Sequence, residues 1–330
     1  MLLEEFLDPK ILIVAGKGGV GRSTVAAALA VVAARQGRRV CVTEVDPKGT
    51  LARLFGSTAP SYQPSELSPG VWGLSILPEQ ALAEYLEVQY HIKRISRVFT
   101  STHFLDYITT AAPGLKDILV LGKIWYLEQN RAIGQRHGFD TIIVDAPAAG
   151  HMLSFLSAPM GLSDAVRLGP VRRQADWLVD MLRDPKRSRV HLVTLAEEMP
   201  VAETLETSHA LEKRLKLQQG PVFANGIYPA LFSKQQRDDL EDGSGETAVG
   251  GLIEQGAGIG LKLDDEDVDA LVGYRDFLEA RRAIQARYLR RLKKETPQPV
   301  ITLPFLFSAG LALPDVETLA DVVEAKVATL

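Results

Sequence analysis

An apolar run, Ile11 to Ala15, breaks into Gly16-Lys17-Gly18-Gly19-Val20-Gly21-Arg22-Ser23-Thr24, and a stretch rich in alanine, leucine and valine follows at once. This is the feature that most narrows the fold. A short apolar run ending in glycines reads as a buried strand of a parallel sheet. Thr24 to Arg35 reads as a helix that stops at Gly37, and Arg39 to Glu44 as a second strand. Strand, loop, helix, strand is a βαβ unit, which requires parallel strands and a right-handed crossover. Thr141 to Val144 (ended by Asp145), Val190 to Leu195, Pro221 to Ala224 and Val300 to Leu303 are further strand candidates, with helical stretches between them. The expected fold class is α/β, a doubly wound and mostly parallel sheet.

The loop has the spacing of a phosphate loop: glycine, four residues, glycine, lysine, then serine or threonine. Gly16, Gly21 and Ser23 fill their places, but Arg22 stands where the lysine belongs. Gly18, Gly19 and Gly21 let the backbone turn its N–H groups onto phosphate oxygens, with Val20, Arg22 and Thr24 completing the cradle. The helix start adds the positive end of its dipole. Ser23 is suited to place its hydroxyl on Mg²⁺. The expected ligands are ATP or ADP with Mg²⁺, in a P-loop ATPase. Arginine keeps a lysine's charge but not its length or shape, so both a working and a crippled hydrolase stay open. Lys17 is an addition to the pattern. A lysine at the start of such a loop points away from its own nucleotide in the usual geometry and can instead reach a partner's phosphates across a dimer interface, as an arginine finger does. The alternative is that it only adds positive charge near phosphate.

At these residues the chain resembles the ATPases with a second lysine in the loop: MinD, ParA, the nitrogenase iron protein, the ArsA arsenite-pump ATPases and the ATPase that targets tail-anchored membrane proteins. Phe139-Asp140-Thr141-Ile142-Ile143-Val144-Asp145-Ala146-Pro147-Ala148-Ala149-Gly150-His151 narrows this to the ArsA and tail-anchored-targeting branch, and Thr194-Leu195-Ala196-Glu197-Glu198 resembles another of its segments. The resemblance implies a role for each matching residue. Asp46 orients the attacking water, and Lys17 acts in trans as a catalytic cation. Asp145 joins Ser23 at Mg²⁺. Gly150 and His151 form a switch that senses the γ-phosphate. Asn225 reads adenine, and Pro304, Phe305 and Leu306 cover its other side. It also implies a dimer, of two copies or with a related subunit that keeps the lysine. Taken singly, Asp46 and Asp145 also fit strand-end caps, Asn225 a turn and His151 the surface.

The rest of the chain sets limits. Charged residues are 24% of it and the formal charge is −4, so no global positive field draws it to nucleic acid or anionic lipid. The one cysteine, Cys41, excludes a disulfide or a zinc site built from cysteines within one chain, and its apolar neighbours read as core. No run approaches the about 18–20 apolar residues of a membrane span, and the start lacks the look of a signal peptide, so the cytoplasm is the expected location. We expect a single ATPase domain over 1–330, a helical subdomain formed by insertions 60–135 and 150–185, and a flexible glycine-dense loop at 236–262. Asp264 to about Lys294 reads as one long helix, acidic at its start and basic at its end. Its cluster Arg287, Arg290, Arg291, Lys293 and Lys294 reads as a solvated end, with an acidic partner as the alternative. Met152, Met160, Met181 and Met199, with Trp177, Leu178 and Leu182, fit either core or a groove for a hydrophobic client or membrane-protein segment. Two other functions stay open: a regulator that binds nucleotide with little hydrolysis, and a positioning ATPase of the MinD or ParA kind.

Overall fold

The structure, a computed structural model, describes residues 2–45, 49–58, 61–90, 114–129, 138–230, 262 and 264–330. After a short helix α1 (Leu3–Leu7) come β1 (Ile11–Gly16), α2 (Arg22–Arg35), β2 (Val40–Glu44) and α3 (Thr50–Leu54). Then follow β3 (Ser65–Ser68), β4 (Val71–Ser75), α4 (Pro78–Tyr90), α5 (Leu115–Gln129), β5 (Thr141–Ala148), α6 (Ala149–Ala165) and α7 (Pro170–Arg183). The chain ends with β6 (Ser188–Leu195), α8 (Glu198–Ala210), β7 (Val222–Ile227), α9 (Asp265–Glu295), β8 (Val300–Pro304) and α10 (Leu313–Val327).

The eight strands form one sheet in the order β3-β4-β2-β5-β1-β6-β7-β8, parallel throughout except for the β3–β4 hairpin. The α/β, doubly wound, mostly parallel expectation is met. Alternating residues explain the two layers of helix. Leu12 and Val14 of β1, with Val40, Val42 and Ile143, face α2 and α10. Ile11, Ile13 and Ala15, with Cys41, Ile142 and Val144, face α5 to α8. Burial on both faces is why these strands read as unbroken apolar runs. Burial also disarms Cys41, whose thiol is pushed up to about 12.

The sheet differs from expectation in two places. Segment 60–135 reads as much helix with little strand pattern, and it holds α4 and α5, yet β3 and β4 also lie in it and extend the sheet beyond β2. The turn between them is at Gly70, with φ +77°. β3 is short and polar, as befits an edge, and so carries little apolar pattern. Strand β5 also runs on past Asp145 to Ala148, because Gly16 of β1 pairs with Ala148 after a register shift. The 236–262 stretch lies outside the described residues, Lys262 apart.

Helices α4 to α7 pack beside the sheet. Lys123 of α5, though only 5% exposed, donates to both carboxylate oxygens of Glu84 on α4, at 2.8 and 2.7 Å. Trp125 of α5 stacks on Trp177 of α7, with ring centroids 5.3 Å apart. Met152, Met181, Leu178 and Leu182 all lie in the core, so most of the methionine-bearing stripe is packing. Met199 is exposed, and Trp177 half so. No helix among the described residues is long and apolar enough to cross a membrane.

One buried group makes stability depend on pH. His191 of β6 is fully buried between Phe6 and Phe223, its Nδ1 is 3.2 Å from the carbonyl oxygen of Pro221, and burial lowers its pKa to about 4. The folded protein holds the ring neutral, while the unfolded chain takes up a proton near 6.5. The contribution is therefore intact above pH 6.5 and is lost as pH falls toward 4, by an amount on the order of 3 kcal/mol. In urea unfolding, His191→Leu should cost stability at pH 7, and its deficit against wild type should shrink steadily between pH 6.5 and 4.

Candidate functional site

The glycine loop lies at the C-terminal end of β1, near the centre of the sheet, where a parallel sheet holds its ligand. Its glycines serve different ends. A Cβ on Gly16 would come within 2.2 Å of the carbonyl oxygen of Val193. Gly21 is left-handed, with φ +89°, and a Cβ there would lie 2.1 Å from Nδ2 of Asn225. That amide donates to the carbonyl of Val20 at 2.9 Å. Gly19 is also left-handed. Gly18 and Gly19 are both exposed, and a Cβ on either would meet nothing within 4 Å. The loop is thus clamped at its ends and open at its crest. Helix α2 begins at Arg22 with Gly21 as its N-cap, so the cap position supplies no side-chain acceptor to its first N–H groups.

Three side chains near the loop already have partners. The hydroxyl of Ser23 donates to Oδ2 of Asp145 at 2.5 Å. Arg22 reaches the same strand end and donates through Nη1 to the carbonyl of Ala146. Lys17 turns the other way, onto α8, where Nζ lies 2.5 Å from Oε1 of Glu203. Both members of that pair are about one-third exposed, so it is weakly held. Thr24 is buried in the first turn of α2.

Of the remaining expected residues, Asp46 lies outside the described residues. Gly150 and His151 stand exposed in the first turn of α6, directly after β5. His151 sits near Asp117 of α5, whose pKa is raised by burial and partly drawn back by the histidine's charge. Asn225 and Pro304-Phe305-Leu306 are brought together, for the Phe305 N–H donates to the carbonyl of Ile227 at 2.8 Å. Phe305 stacks on Tyr228 with centroids 4.7 Å apart.

Three participants were missed in the sequence. Glu44, 1% exposed, accepts N–H bonds from Gly49 at 3.1 Å and Leu51 at 2.9 Å and so secures the chain after Asp46. An acid closing an apolar strand was its only signal. Gln285 of α9 brackets the turn at the end of β7, donating to the Gly226 carbonyl at 2.8 Å and accepting from the Tyr228 N–H at 2.9 Å. Glu203 is one acid among many on an ordinary helix, and nothing local marks it.

The residues present fit a magnesium nucleotide. A hydroxyl and a carboxylate 2.5 Å apart are hard oxygen donors beside an open, N–H-rich loop. The described residues contain no cluster of three or more His, Cys, Asp or Glu able to cage a metal, and Mg²⁺ on phosphate needs none.

This loop, on this sheet, defines an α/β fold of the P-loop NTPase type. Residues 9–175 match the anion-transporting ATPase family, and the chain belongs to that family. ATPase BagA of Mycobacterium tuberculosis is 34% identical over 270 residues, covering 80% of this chain and 78% of the relative. The arsenical pump-driving ATPase of Escherichia coli is 27% identical over 258 residues, covering 72% of this chain and 42% of that protein. That of Acidiphilium multivorum is 26% identical over 237 residues, covering 67% and 40%. ATP hydrolysis is thus a property of the family, and nucleotide binding is implied by it.

Gly18 and Gly21 provide a matched test of the loop's geometry. Gly21→Ala should cost about 1–3 kcal/mol in urea unfolding, from the left-handed backbone and the collision with Asn225. Gly18→Ala should leave the unfolding midpoint nearly unchanged.

Proposed function

We propose that this protein is a Mg²⁺-dependent ATPase whose nucleotide state opens and closes a dimer acting on a client or partner protein. The observation that carries the reading is the bond between Ser23 and Asp145, 2.5 Å, at the foot of an open glycine loop. Those two side chains would hold Mg²⁺, which neutralises phosphate charge and orients the terminal phosphate. The loop N–H groups bind the phosphates. Asn225, already oriented by its bond to Val20, and the Phe305 turn frame the adenine. Asp46 orients the attacking water.

Arg22 and Lys17 act through exchange of partners. Phosphate oxygens are stronger acceptors for a guanidinium than one backbone carbonyl, so bound ATP draws Arg22 from Ala146. Ala146 leads through Pro147 into the Gly150–His151 turn, so that exchange is felt in the switch. Lys17 leaves Glu203 when a partner's phosphates come within reach. The partner is a second copy or a related subunit that keeps the loop lysine. The client is a hydrophobic or membrane-protein segment, for which the half-exposed Trp177 and exposed Met199 offer apolar surface. Arsenite is a poor fit, because it takes soft thiolates and the one cysteine is buried with its thiol at about 12. We place the protein in the cytoplasm.

Arg22 also favours a second reading, a regulator that binds ATP without turning it over. Single-turnover phosphate release from the purified protein decides between them. An ATPase releases phosphate, Asp46→Asn lowers the rate at least 100-fold, and Ser23→Ala removes the Mg²⁺ requirement for tight binding. Binding without release, not rescued by Arg22→Lys, establishes the regulator. ATP-dependent pelleting with liposomes or DNA would instead favour a positioning ATPase.

A further inference from the structure

Helix α9 presents two seven-residue columns to different surroundings. Leu278, Gln285 and Leu292 are its buried column, 3%, 6% and 0% exposed. This side is bonded to the body, through Gln285 to the turn after β7, through Arg281 to Glu197 at 2.8 Å, and through Tyr288 to Glu198 at 3.2 Å. Rather more than a third of a turn round the helix runs a second seam, with alternating spacings of four and three residues from Glu266 to Lys294. Every residue of it is exposed. At 1.5 Å per residue it is about 42 Å long.

The order of chemistry along this seam is specific. One end is acidic, at Glu266. The middle is apolar and narrow: Phe277 and Ile284, 54% and 44% exposed, are separated by Ala280, with Ala270 and Gly273 on the acidic side. The other end is basic, at Arg287, Arg291 and Lys294. Exposed apolar residues scattered singly need no explanation. Two on one seam, spaced by seven with small residues between, form the seam along which helices pair. Helix-dipole complementarity accounts for the charge polarity but not for the apolar centre.

We infer that this seam is a self-association surface on which α9 of a second copy lies antiparallel, related by a two-fold axis at Ala280. Glu266 and Lys294 each stand fourteen residues from Ala280, so the axis sets Glu266 against the partner's Lys294 and the reverse. Phe277 falls beside the partner's Ile284, and the two Ala280 methyl groups permit close approach of the helices. Such a contact is closed, and each half is complementary to itself. An anionic membrane or an acidic protein complements only the basic end and sets Glu266 against like charge. The pairing requires no nucleotide.

Sedimentation velocity of the full chain without nucleotide, over a range of concentration and salt, tests this. The expected result is a monomer–dimer equilibrium that weakens with salt. Phe277→Ser with Ile284→Ser should weaken it at least tenfold, with circular dichroism unchanged because both side chains are exposed. Lys294→Glu, and separately Glu266→Lys, should each weaken self-association, and mixing these two variants should restore a mixed dimer tighter than either forms alone. A monomer at all concentrations overturns the inference, as does a dimer indifferent to these substitutions. Binding of the monomer to phosphatidylserine vesicles through Arg287 and Arg291 also overturns it, in favour of a membrane. A dimer that forms only with ATP and Mg²⁺ and survives the α9 substitutions overturns it while leaving the proposed ATPase cycle intact.

Discussion

The side-chain amide of Asn225 occupies the space that a methyl group on Gly21 would need, and from there it donates to the carbonyl of Val20. This contact joins the loop after β1 to the end of β7, two strands away in the sheet. It is made only because Gly21 adopts a left-handed backbone and carries no side chain. With that end of the loop fixed, α2 starts at Arg22, and Ser23 falls within 2.5 Å of Asp145. With Asn225 fixed, the turn after β7 is placed for the bracket from Gln285 and the aromatic contact with Phe305. The loop, the Ser23–Asp145 pair and the turn after β7 share one anchor.

Charge gives this site its character. Carboxylates and cations surround the loop, and those described are partnered within the chain: Ser23 with Asp145, Arg22 with the Ala146 carbonyl, Lys17 with Glu203. The Lys17 pair is partly exposed, so its net contribution to stability is small, about 0–1 kcal/mol. A pair of that strength positions a side chain without committing it. Under the proposed cycle, the incoming phosphates are the better partners, and exchange of partners is what converts nucleotide binding into movement. Helix α9 reaches into this region through Gln285, Arg281 and Tyr288 while its other face stays open.

Much of the fold was legible because parallel strands buried on both faces leave uninterrupted apolar runs. β1, β2, β5 and β7 each have such a run, while β6 and β8 are interrupted by polar residues such as His191 and Thr302. The edge hairpin β3–β4 was not legible, since a four-residue polar strand at an edge carries almost no periodic signal. The methionine stripe read equally well as groove or core. Burial of Met152 and Met181 shows it to be mainly core, a distinction that depends on what packs opposite and not on spacing. The long charged helix was legible, but which of its faces stays uncovered was not.

The sequence alone determined the strand–loop–helix unit, the α/β class and the candidate chemistry of Gly16 to Thr24, because those follow from local backbone freedom and short-range apolar patterning. It also determined that Arg22 departs from the phosphate-loop pattern and that Lys17 adds to it. Only the tertiary structure decided what these residues touch. Glu203 meets Lys17 across 186 residues, Asn225 meets Val20 across 205, and Asp145 meets Ser23 across 122. Contacts at such separation are set by which strands lie next to one another in the sheet, and no local pattern in the chain records that.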